Sequence, residues 1–175
     1  MLTQLGVMGF AFYTVFVVNH FGVSEAEAGV MTGLLLGTQI FANPIMGWLC
    51  DRWSHRLVME VGLAAAVASA LIAWLAPSAG WFYLAFFLIG IANVANRTIG
   101  IIMSLEFGAE AQRPTYIGLA NTLVAPAVIL APTLGGWVAE ARGYPPVFLA
   151  SAIAGVATLL VLHYLVKDPR KAQAA

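Results

Sequence analysis

Charge is what this sequence has least of. Of its 175 residues only 9% are Asp, Glu, Lys or Arg, whereas 61% are apolar. A water-soluble domain carries roughly 25% charged residues, so this chain lacks the means to cover a water-facing surface. The formal net charge is zero and no basic patch exists, which excludes nucleic acid as a partner. Cys50 is the only cysteine, so an internal disulfide and a cysteine-built metal site are both excluded. No His-Glu-x-x-His, Gly-x-Ser-x-Gly or phosphate-binding loop occurs, and nothing points to an enzyme, a cofactor or a metal. Basic residues are missing ahead of the first apolar run, Leu5 to Val18, and no small-residue cleavage site follows it. That favours a membrane span over a signal peptide.

What is present is a succession of apolar runs. Polar breaks divide them into six, at about 3–20, 26–49, 57–76, 81–105, 114–138 and 145–166. Each is close to the ~20 residues that a helix rising ~1.5 Å per residue needs to cross a bilayer. Ser24 followed by Glu27 reads as a capping box for the second helix. Pro77-Ser-Ala-Gly80 turns the third run into the fourth, and Pro114 sits where the first turn of a helix accepts proline. The expectation is an all-α membrane protein, one domain of six transmembrane helices with a tail at 167–175.

The basic residues orient it. Loops two and four and the tail hold Arg52, Arg56, Arg113, Lys167, Arg170 and Lys171, whereas loops one, three and five hold only Arg142. Lys and Arg are retained on the cytoplasmic side, so both termini are expected in the cytoplasm, with the chain in the cell's inner (plasma) membrane. An internal echo divides the spans further. Gly47-Trp48-Leu-Cys-Asp51 returns as Gly136-Trp137-Val-Ala-Glu140, and Phe21-Gly22 returns as Phe107-Gly108. Two units, 1–76 and 81–166, follow. With three spans each they must be inserted in opposite senses, as in the inverted repeats of secondary transporters.

The motif Gly47-x-Leu49-x-Asp51-Arg52-x-x-x-Arg56 resembles the cytoplasmic loop motif of the major facilitator superfamily, between the second and third spans. It departs at Ser54, where the family usually has glycine, and at His55, where it usually has Arg or Lys. Such departures are common in the second-half copy of the motif. Family members have two six-span halves, so the chain resembles one half, the C-terminal one in preference to the N-terminal one. The resemblance implies a secondary transporter that moves a small organic solute by alternating access. It also implies a second six-helix half, either a missing N-terminal half or another copy of this chain. The same resemblance makes Gly47, Asp51, Arg52 and Arg56 a conformational latch, with Glu106 available as an acidic partner.

Arg97 is the other charge of interest, about eight residues inside the fourth span. A charge at such depth costs at least ~2.5 kcal/mol, so it faces a cavity or a partner. Asn93, Asn96 and Arg97 are spaced i, i+3 and i+4 and share one helix face. This stripe is a candidate substrate path or gate, joined by Gln39, Asn43 and Asn121; the competing reading pairs Arg97 with Glu60 of the third span. No carboxylate lies at mid-membrane depth, which argues against a proton relay within these spans. Pro44, Pro126 and Pro132 invite kinks. Span five, with Gly118, Pro132, Gly135 and Gly136, resembles the antiporter motif of the same superfamily with two glycines replaced by alanine. Close helix packing is its plainer meaning, and export its functional one. His20, His55 and His163 read as interfacial residues. The alternatives to a transporter are a six-helix membrane scaffold that transports nothing and a truncated, inactive transporter fragment.

Overall fold

Helix boundaries follow from local chemistry at each end. Ser24 is extended and accepts from the Glu27 N–H at 3.2 Å, so α2 starts at Glu25 and runs to Arg52. Only half of the expected capping box forms, because the Glu27 carboxylate accepts from the Tyr83 hydroxyl instead. Ser54 caps α3 (His55–Leu75) in the same way, accepting from Leu57 N–H at 3.2 Å. Pro77 disfavours helical backbone at Ala76, and α3 stops just before it. Gly22 and Gly143, at φ 67° and 82°, terminate α1 (Tyr13–Phe21) and α5 (Arg113–Arg142) in the left-handed region that glycine enters without strain. The remaining helices are α4 (Gly80–Glu106) and α6 (Pro145–Leu165).

This computed structural model describes residues 4, 6–106 and 113–165, and every side chain among them except those of 98–106, 113, 114, 116, 117, 120 and 165. Among the described residues the chain is all-helical, with six α-helices and no strand. Four stretches are long and apolar enough to cross a membrane: α2, α3, Asn121–Arg142 of α5 and Pro145–Tyr164 of α6.

The first element departs from the single helix expected at 3–20. A 3-10 segment, Met8–Phe12, leads into the nine-residue α1. The Gly9 N–H donates to Ser151 Oγ at 2.7 Å, and a Cβ at Gly9 would meet that hydroxyl and the Phe148 ring. The backbone is pulled onto α6 here, so the tighter winding replaces the usual i−4 bond.

Helix α3 is the centre, packed along α4 on one side and α6 on the other, while α2 packs along α4. Small side chains make the α3–α4 approach possible. A Cβ at Gly62 would lie 2.3 Å from that of Ala95, and Ala66, Ser69, Ala70 and Ala73 are buried on α3. Gly90 lets α4 cross α2 at Leu35 and Thr38. Toward the Tyr13 end the core is aromatic: the Tyr13 ring meets Phe82, Phe86 and Phe148 at 5.4–5.9 Å, mostly edge to face. Toward the motif end it consists of Ala42, Met46, Cys50, Val58, Val94 and Ala95.

Candidate functional site

The motif residues fall at the junction of α2 and α3. Gly47, Asp51 and Arg52 lie in the closing turns of α2, and Arg56 lies in the first turn of α3. The Arg52 guanidinium sits over the Trp48 ring at 5.5 Å, one helical turn back. Ser54, which departs from the family's glycine, supplies the cap that starts α3. His55, the first residue of α3, is buried.

Arg56 finds its carboxylate on its own helix. Its Nε donates to Glu60 Oε1 at 2.9 Å, and its Nη2 donates to the backbone carbonyl of His163 at the end of α6. The same Glu60 oxygen faces His163 Nδ1 at 3.1 Å. The Glu106 side chain lies outside the described residues. The alternative pair of Glu60 with Arg97 is not made, and helix geometry explains why. Gly62 marks the side of α3 that meets α4, and Glu60, two residues earlier, lies about 200° around the helix. It therefore faces α6.

On α4, Asn93 and Asn96 are half-buried and Arg97 is exposed. Asn96 borders a crevice with Val7, Met59, Gly62 and Ala66. Asn93 follows Phe86 by two turns, and Phe86 packs on Phe10 and Tyr13 of the first segment. The stripe thus spans two directions: Asn96 looks toward the seam of α3 with the first segment, and Arg97 looks away from α3. The other polar candidates do not join it. Asn43 and Asn121 are exposed, Gln39 is half-buried, and Asn43 donates to the Gln39 carbonyl at 2.7 Å. A groove of about 350 Å³ between α2 and α4 is apolar, lined by Leu34, Phe41, Ile45, Phe87 and Ile91 among others.

Polar side chains beside the prolines have a backbone role. Beside Pro44 and Pro132, Asn43 and Thr133 donate to the carbonyls four residues back, those of Gln39 and Ile129, at 2.7 and 2.8 Å. The packing expected of span five is narrower than its motif suggested. A Cβ at Gly135 would meet Phe12 at 2.7 Å and Met8 at 3.1 Å, but one at Gly118 or Gly136 would meet nothing within 4 Å. Ala131 and Gly135 are buried, Gly135 against the first segment, whereas Pro132 is exposed.

Sequence reasoning passed over Tyr13, Ser69 and Ser151 and read His163 as merely interfacial. Ser69 Oγ donates to the Ala85 carbonyl at 2.8 Å, so its single proton is committed and the Tyr13 hydroxyl must donate to it, at 3.0 Å. That chain ties α1, α3 and α4. The signal for it was the row of small residues in span three, where a serine reads as another small residue. Among the described residues no group of three His, Cys, Asp or Glu could hold a metal.

Four helical stretches long and apolar enough to cross a membrane mark a multi-pass membrane protein. The family model described as "Major Facilitator Superfamily" matches residues 1–175, and the chain belongs to that superfamily. It is similar to "Probable vesicular acetylcholine transporter-B" of Danio rerio, 28% identical over 151 residues, 83% of this chain and 31% of the relative. It is 23% identical over 155 residues to "Multidrug resistance protein 1" of Bacillus subtilis (strain 168), 89% of this chain and 40% of the relative. "Tetracycline resistance protein, class B" of Escherichia coli is 24% identical over 154 residues, 88% of this chain and 36% of the relative. The chain is thus a membrane transporter-family protein and not an enzyme, and it spans 31–40% of the length of these relatives.

Proposed function

We propose that this chain is one six-span half of a secondary transporter, moving a small organic solute by alternating access against a second half. The observation that carries the reading is the polar stripe of α4, where Arg97 is exposed on the side away from α3. A guanidinium at that depth is tolerated beside an aqueous path or an anionic partner, and a scaffold has little use for it. The pairing pattern supports two inverted units, 1–76 and 81–166: α3 packs on α4 as α6 packs on the first segment, and α2 packs on α4 as α5 does on the first segment. A second half, supplied by further chain or by another copy, would cover the outward faces of α2 and α5. Names of relatives that refer to drug and tetracycline resistance support export as the direction. The basic loops support an inner (plasma) membrane orientation with both termini cytoplasmic.

Two measurements test this. Arg97→Lys keeps the charge but loses the planar fork, and Arg97→Gln loses both. Uptake of a labelled solute into vesicles should fall about tenfold or more in the second variant at equal protein level, and unchanged uptake in both rejects the path. In the latch, Asp51→Asn should slow turnover while leaving KM unchanged. Unaltered turnover removes Asp51 from that role.

A further inference from the structure

The second arginine of the motif is engaged within this chain, and its engagement has a particular geometry. Arg56 stands in the first turn of α3 and His163 in the last turn of α6. Carbonyls toward the C-terminus of a helix carry the negative end of its dipole. That of His163 accepts from Arg56 Nη2. Glu60 Oε1 receives Arg56 Nε at 2.9 Å, which orients the guanidinium, and meets the His163 ring nitrogen at 3.1 Å. The side chains of Arg56 and Glu60 are only 25% and 27% exposed. Backbone and ring of one residue on α6 are thereby gripped by two side chains one turn apart on α3.

We propose that Arg56, Glu60 and His163 form a fixed tie that binds the end of α6 to the start of α3, making these two helices one mechanical unit at the motif end. Arg56 is then a positioning residue within the half-bundle, not a contact that opens and closes against a second half. Three features of the structure come together in this tie. The carboxylate of Glu60, set one to two turns inside an apolar helix, is tolerated because the Arg56 guanidinium neutralises it and the His163 ring nitrogen meets the same oxygen. A planar fork is required at position 56, since one donor must reach Glu60 while another reaches the α6 carbonyl. Sidedness follows as well, because Gly62 turns toward α4 and Glu60, about 200° around α3, meets α6. The tie does not depend on which solute is carried, or on any solute at all.

The test uses the full chain in lipid nanodiscs, in a Cys50→Ser background, with spin labels on Trp53→Cys and Leu160→Cys across the tie. A control pair, Leu75→Cys and Ala150→Cys, reports the far ends of the same two helices. Glu60→Gln and Arg56→Gln should each at least double the width of the distance distribution across the tie and leave the control pair unchanged. Arg56→Lys, which keeps the cation without the fork, should widen it to an intermediate value; His163→Gln, which keeps the backbone acceptor, should do the same. An unchanged distribution in Glu60→Gln and Arg56→Gln overturns the proposal. So does equal widening of both pairs, which would mean general loosening instead of a local tie. A variant that fails to stay monodisperse is replaced by the Arg56→Lys and His163→Gln comparison, where no widening also overturns it.

Discussion

Helices α3 and α5 make the sharpest contrast in the molecule. Both are long and apolar, yet 39% of the membrane-length window of α3 is buried inside the bundle, against 11% of that of α5. Helix α6 matches α3 at 39%, and α2 lies between at 28%. In water such unevenness would be a fault, because Leu119, Leu123, Ile129, Leu130 and Trp137 of α5 are exposed. In lipid it costs nothing, since the tails are as apolar as leucine, and what draws helices together is close packing and interhelical hydrogen bonds. Hydrophobicity therefore does not distinguish inside from outside in this chain. Residue size does: α3 turns Gly62, Ala66, Ser69, Ala70 and Ala73 inward, whereas α5 holds its bulky residues outward.

Replacing glycine by leucine on each helix would break or sharpen that contrast most directly. Gly62→Leu forces a side chain where even a Cβ is 2.3 Å from its neighbour. Overpacking of this kind costs ~1–3 kcal/mol or more, so the monodisperse peak on size exclusion should collapse. Gly118→Leu, on open surface, should leave that peak intact. If the two variants behave alike, the division into tied and open helices fails.

Smaller effects test the hydrogen bonds of the tied region. Ser69→Ala removes the acceptor of the buried Tyr13 hydroxyl, and leaving such a group unpaired costs ~1–3 kcal/mol. Tyr13→Phe removes donor and hydroxyl together, so it should cost less, near the ~0.6 kcal/mol average for interhelical bonds in membranes. Thermal melts in one detergent should rank the two in that order. The reverse order would mean that the Tyr13 hydroxyl has another partner. The smallest effect is expected at Gly136→Ala. A Cβ there meets nothing within 4 Å, and helix propensity favours alanine by roughly 0.5–1 kcal/mol. The melt should rise slightly. A fall would reveal that something does cover α5, and would itself be evidence for an occupant of the open face.

The helices were legible in the sequence because their ends are written locally. Ser24, Pro77 and Gly143 stop or start a helix by chemistry that reaches only a few residues. The family, too, was legible, from Gly47, Asp51, Arg52 and Arg56. The first span was less so: its 3-10 segment depends on Ser151, 142 residues away from Gly9. Distance in sequence likewise hid one partner of Arg56, the His163 carbonyl 107 residues away. Reasoning along the chain offered Glu106 to Arg56 and Glu60 to Arg97, since each is near in depth. It could not know which side of α3 would meet α4, and that side follows from Gly62, a residue with no chemistry of its own.

What the sequence by itself determined is how many apolar runs there are, where caps and turns start or stop several of the helices, and which superfamily they belong to. Those depend on composition, capping and a local motif. Which faces meet was decided only in three dimensions. In an apolar solvent, burial has no preference among leucines, and the choice falls to shape complementarity between small residues far apart in the chain. From that choice followed the pairing of Arg56 with Glu60 and His163, the isolation of Arg97 from Glu60, and the bare outward surface of α5.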